Sequence, residues 1–293
     1  MANYSVSLVL DAKAELGEGV CWDWRSQVLY WVDINRYELH VFDPETNSDR
    51  SINVGEYIGT VAPRAGGGLV LGLQHRIVSC DLDTGEMVTL CSLEADRENN
   101  RINDGKCGPD GRFWVGTMDL DCQEGAGGFY CVDTDYTMRT ILRSVGISNG
   151  LCWRSDHSIL YYIDLLTRKI DAFDFDAGAG TCANRRPVVD FGDNPGSPDG
   201  MNIDAEDKLW VASFGGGCVM RWDPDTGELM QTIELPVTNV TNCAFGGREL
   251  DRLYISTARV LRTEEDLAKE PLAGGLFVAE PGVRGVRAFE YGG

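Results

Sequence analysis

Five polar side chains, Glu18, Asn103, Asn149, Asp199 and Asn242, share one place in the rhythm of this sequence. Each lies 10 or 11 residues before a short apolar run, and a sixth position of the same kind holds Ile58. If equivalent positions of a repeat point at one axis, Glu18, Asn149 and Asp199 meet there although they are far apart along the chain. Two carboxylates and amide oxygens crowded together repel or change their proton affinity unless a positive charge sits between them. The simplest such charge is one divalent metal ion, and an all-oxygen set favours a hard cation such as calcium, magnesium or manganese. The competing reading is that the three residues cap strands and bind channel water. His40, His75 and His157 are dispersed and show no ligand spacing.

The apolar runs are the elements that must position this set. They read Leu29-Tyr30-Trp31-Val32, Leu69-Val70-Leu71, Phe113-Trp114-Val115, Leu160-Tyr161-Tyr162-Ile163, Leu209-Trp210-Val211 and Leu253-Tyr254-Ile255. Their first residues stand 40, 44, 47, 49 and 44 apart, and a propeller blade of four antiparallel strands takes roughly 40–50 residues. The spacing predicts an all-β, six-bladed β-propeller with a central metal-binding channel, formed by residues 1–293 as a single domain. In that architecture the innermost strand of each blade lines the channel and precedes the repeat strand by one hairpin. The 10-residue offset therefore lands at the start of the inner strand.

Turn chemistry agrees with this division. Asp110-Gly111, Asp156-His157-Ser158 and Glu206-Asp207 precede repeat strands where a hairpin belongs. Stretches such as Asp81-Leu82-Asp83-Thr84-Gly85 and Asp223-Pro224-Asp225-Thr226-Gly227 imitate calcium loops, but lack the twelfth-position Glu and the flanking helices, and read as turns. Gly66–Gly68 and Gly215–Gly217 read as tight turns, not phosphate loops, because they precede strands. Helical periodicity is confined to Thr263–Lys269. Ring closure predicts that Val6–Leu10 joins the blade built from Leu253–Ser256 and Leu276–Ala279.

Composition narrows the partners. With 26 Lys and Arg against 46 Asp and Glu, the net charge is −20, which disfavours nucleic acid and anionic membranes. No apolar run is long enough to span a bilayer, and Met1-Ala2-Asn3-Tyr4-Ser5 lacks a signal pattern, so the expected location is cytoplasmic. The ten cysteines contain no C-x-x-C pair and read as reduced core residues, while the sequons at Asn3 and Asn239 carry no meaning without secretion. A monomer or a weak homodimer is expected.

Five motifs add a resemblance: Leu16-Gly17-Glu18-Gly19, Asn99-Asn100-Arg101-Ile102-Asn103-Asp104-Gly105-Lys106, Gly116-Thr117-Met118, Ser148-Asn149-Gly150-Leu151 and Pro198-Asp199-Gly200. In order and together they resemble the signatures of the SMP-30/gluconolactonase/luciferin-regenerating-enzyme family, from about Ala14 to Gly275. The resemblance implies a sugar lactonase whose metal is held by Glu18, Asn149 and Asp199, the three residues reached from register. It also implies tolerance of several metals, zinc and ferrous iron included, with calcium the first candidate. Arg101 and Asn103 fall on the family's substrate-binding residues, and Asp104 would orient them. Where some relatives carry a Glu three residues after the Met of the G-T-M motif, this chain has Asp121, whose shorter reach puts its substrate contact in question.

The chemistry implied is hydrolysis of a cyclic ester. A divalent metal can polarise the lactone carbonyl and lower the pKa of bound water, with Asp199 as general base and Glu18 as a pure ligand. Two further functions fit the same scaffold: an aryl-ester or organophosphate hydrolase, and a calcium-binding regulator or propeller scaffold without enzyme activity. No G-x-S-x-G elbow, Walker loop or dinucleotide fingerprint occurs.

Overall fold

A computed structural model describes residues 5–293; Met1–Tyr4, with the Asn3 sequon, lie outside the described residues. The strands form six sheets of four, each antiparallel, and five of the six are built from consecutive strands. The sixth closes the ring as ring closure requires. Val6–Leu10 pairs with Leu276–Ala279, which pairs with Arg252–Thr257, with Val6 opposite Ala279 and Leu8 opposite Phe277. The molecule is a six-bladed β-propeller.

The inner strands are Gly17–Asp23, Ile58–Pro63, Asn100–Cys107, Ser148–Trp153, Ser197–Ile203 and Val240–Gly246, and each lies against its counterparts in both neighbouring blades. The predicted repeat runs are the second strands. They read as continuous apolar stretches because both faces of each sheet are covered, so alternation has no polar face to report. Six apolar clusters fill the six junctions between blades; Trp210 packs between the fifth and sixth, Trp114 between the third and fourth. The outermost strands, such as Ser48–Asn53, are the most exposed, with only Asp49 and Ile52 half-buried in that strand.

The turns behave as their residues dictate. Asp81 accepts from the backbone of Asp83 and Thr84 while its carbonyl receives Gly85 N–H, and Asp223 repeats the device with Asp225 and Gly227. Residues 66–68 and 215–217 form turns between strands. The one α-helix among the described residues, Glu264–Lys269, begins with a capping box in which Thr263 and Asp266 satisfy each other's backbone N–H. No described helix is long and apolar enough to cross a membrane. All ten cysteines are free, and nine are buried or half-buried; Cys122 departs from the core expectation, lying exposed on a loop at the channel mouth. Asn239 is buried, its amide donating to the Val260 carbonyl at 2.7 Å.

Candidate functional site

Each inner strand breaks register with its neighbour near the same end: between Glu18 and Cys21, Ile58 and Thr60, Ile102 and Asp104, Asn149 and Leu151, Pro198 and Met201, and Val240 and Asn242. A bulge inserts an unpaired residue and re-aims side chains. Repeated six times around a ring, it marks one level of the channel. Glycine follows several of these polar residues because the next inner strand passes close. A Cβ on Gly150 would meet the Asp199 carbonyl at 2.6 Å, and one on Gly200 would meet Asn242 at 2.2 Å.

At this level the ring gathers Glu18, Arg101, Asn103, Asp104, Asn149 and Asp199, all buried. Glu18 Oε2 accepts from Gly19 N–H at 3.0 Å and from Asn242 Nδ2 at 2.9 Å. Arg101 Nη1 donates to Asn103 Oδ1 at 2.8 Å and the Ile102 carbonyl at 3.1 Å, while Asn103 Nδ2 donates to the Ser148 carbonyl at 2.8 Å. Asp104 accepts from Gly105 N–H at 2.7 Å.

The electrostatics are those of acids short of cations. Burial, then the Asp104 charge, pushes the Glu18 carboxyl up to about 8. Burial, then Glu18 and Asp104, holds Asp199 well above the usual carboxylate range. Burial raises Asp104 to about 6, with the Lys106 ammonium opposing. Burial lowers Arg101 to about 10, Glu18 opposing. Three carboxylates that cannot all ionise alone are the environment in which a divalent cation is bound. Asn149 Oδ1 is buried and has no hydrogen-bond partner, which leaves a lone pair for a ligand in a fold where such groups are normally paired. The donor set fits a divalent metal held by Glu18, Asn149 and Asp199. Among the described residues no group of three His, Cys, Asp or Glu side chains is arranged to hold a metal; the present set is two carboxylates and an amide.

Asp121 is the candidate the structure leaves apart. It is exposed on the loop of residues 120–126, tied to Asn99 Nδ2 at 3.1 Å. Two kinds of residue escaped the sequence argument. Asp33 and Asp164 end second strands and accept the backbone N–H groups of Glu15 and Leu16, and of Gly146 and Ile147, so they brace the segments that lead into Glu18 and Asn149. Their signal was present in Val32-Asp33 and Ile163-Asp164, at the same offset in two repeats. Arg168 carried none: it binds the carbonyls of Gly192, Asn194 and Gly196, in the loop before Asp199, at 2.5–3.0 Å.

Fold and site together define a propeller whose channel mouth is built from acids, amides and one arginine. The chain belongs to the SMP-30/Gluconolactonase/LRE-like family, whose model matches residues 16–259. It is 38% identical over 296 residues to regucalcin of Danio rerio, covering all of both chains. A luciferin-regenerating enzyme superposes with a TM-score of 0.92 at 31% identity, over 99% of this chain and 100% of that one. Regucalcin of Agrobacterium tumefaciens, described as a calcium-binding protein, superposes with a TM-score of 0.95 at 26% identity over 99% of each chain.

Proposed function

We propose that this protein hydrolyses a sugar (aldono) lactone to the aldonic acid with the help of one divalent metal ion. The observation that carries the reading is the buried, unpartnered Asn149 Oδ1 beside Asp199, whose carboxyl feels the charges of Glu18, Asp104 and Arg101. Glu18, Asn149 and Asp199 would hold the metal, and calcium is the first candidate given the calcium-binding relative. When bound, the metal supplies Lewis acidity toward a carbonyl and acidity to a water. Asp199 accepts the attacking water's proton at a carboxylate oxygen. Arg101 and Asn103 hold the sugar hydroxyls, and their mutual hydrogen bond presets that orientation. Asp104 orients the pair, while Asp121, out at the rim, meets only a substrate part that reaches the mouth. The site takes a small molecule, and we assign the protein to the cytoplasm as a monomer or weak homodimer.

The test is pH-indicator hydrolysis of a panel of aldonolactones by EDTA-stripped enzyme, before and after resupply of calcium, zinc, manganese, magnesium or ferrous ion. Metal-restored turnover above the spontaneous rate is expected. No turnover with any ion, from folded protein that still binds metal, would remove the lactonase reading.

A further inference from the structure

We propose that Tyr57, seated beside Arg101 at the channel mouth, is a substrate-binding residue that selects ring-shaped polyhydroxy ligands; this deepens the lactonase reading and rests on it. Tyr57 directly precedes Ile58, the first residue of the second blade's inner strand. That strand crowds the third blade's, since a Cβ on Gly59 would meet the Ile102 and Asn103 carbonyls at 2.3 and 2.9 Å. The closeness brings the Arg101 guanidinium carbon to 6.0 Å from the Tyr57 ring centre, the outer range of a cation–π contact.

Arg101 is thereby fixed by two kinds of contact. Its Nη1 is held by Ile102 O and Asn103 Oδ1, and its guanidinium carbon lies over the Tyr57 ring. Among the described residues, Nη2 and Nε make no hydrogen bond within the protein, so they remain for a ligand. Tyr37 stands edge-on to Tyr57, ring centres 5.0 Å apart at 87°, and packs against one side of it. Both tyrosines are half-buried, with apolar surface available.

An aromatic wall next to a guanidinium fork matches a molecule with a C–H face and hydroxyl edges. A sugar ring has both. An aryl ester or phosphotriester offers an apolar face with one carbonyl or phosphoryl acceptor, and lacks the several hydroxyl edges that a ring polyol sets around the fork.

The test combines turnover with a readout independent of it. On a 1,4-aldonolactone, Tyr57→Ala and the volume-preserving Tyr57→Leu are expected to raise KM about tenfold with kcat within about twofold. Tyr57→Phe, which keeps the ring, should match the parent. In parallel, an anhydro-alditol (a ring polyol without the carbonyl) should shift the melting temperature of the parent and Tyr57→Phe proteins but not of Tyr57→Ala or Tyr57→Leu. Parent-like KM and melting shift in Tyr57→Leu overturn the proposal and leave the lactonase reading intact, as does a loss confined to kcat. A Tyr57-dependent shift from a protein that hydrolyses no lactone upholds the ring-polyol subsite and removes the lactonase reading. Neither turnover nor shift overturns both.

Discussion

The two ends of the channel are built on opposite principles. At the mouth, acids are packed close with too few cations, and Asn149 Oδ1 has no partner. At the floor, the C-terminal segment runs under the blades and pairs as it goes. Gly285 N–H meets the Leu250 carbonyl, Ala205 N–H meets Arg284, Tyr291 exchanges bonds with Pro63 and Ala65, and Gly292 meets Gly111. Phe289 packs edge-on against Trp153, and with Val286 and Ala288 it closes a cavity of about 50 Å³ lined by Cys21, Lys106 and Cys152. The contrast separates two tasks. Carboxyl and amide side chains left short of partners are costly to folding and available to a ligand, whereas the paired backbone groups of the C-terminal segment hold the ring shut and have nothing left to bind.

The largest effect expected at the mouth follows Asp199→Ala. Turnover should fall by about a thousandfold or more as the proton acceptor and a metal donor disappear together, while the melting temperature holds or rises because a buried acid is gone. Retained turnover in an initial-rate assay would break the assignment.

The floor should answer in the opposite sense. Tyr291 is wholly buried and its hydroxyl donates to the Asp133 carbonyl at 2.7 Å. Tyr291→Ala should cost about 3–5 kcal/mol, read as a lower midpoint in denaturant, with kcat of the folded fraction within about twofold. A selective loss of kcat would show that the two ends are not separable.

A smaller effect concerns pH. Glu18 moves from its ordinary 4.5 to about 8 in the folded metal-free chain. The folded state therefore binds a proton that the unfolded chain has released. This contribution is fully present below about pH 4.5 and is lost as pH rises through about 8. Melting curves of EDTA-treated protein should fall more steeply across that window than those of Glu18→Gln, and saturating metal should close the gap. Parallel curves would place Glu18 outside the acid cluster.

The smallest effect belongs to a residue joining the two tasks. Arg168→Ala frees the loop before Asp199, and kcat should drop roughly threefold to tenfold. Metal affinity, measured by calorimetry, should change little. An unchanged kcat would mean that the inner strand fixes Asp199 without help from the loop.

Much of this was legible in the chain. The six apolar runs gave the blades, because a strand buried on both faces must be apolar throughout, and their spacing counted them. The joining of Val6–Leu10 to the last blade followed from the need to close a ring. The level of Glu18, Asn149 and Asp199 followed from register, since each sits the same distance before its repeat strand. Tyr57 was not legible: it occupies a connection between blades, where no repeat dictates residue type. Nor was Arg168, whose partners are backbone carbonyls that leave no mark in side-chain sequence.

The sequence by itself determined the periodic part of this protein, its six four-stranded units, its turns and the chain positions that face the axis, because periodic burial writes itself into residue type. Only the tertiary structure decided what happens between units. The packing of one inner strand on the next sets Arg101 over Tyr57, Asn242 on Glu18 and three acids within reach of one another. Those contacts join residues tens to hundreds of positions apart, and their geometry depends on bulges and glycine approaches that the fully assembled ring defines.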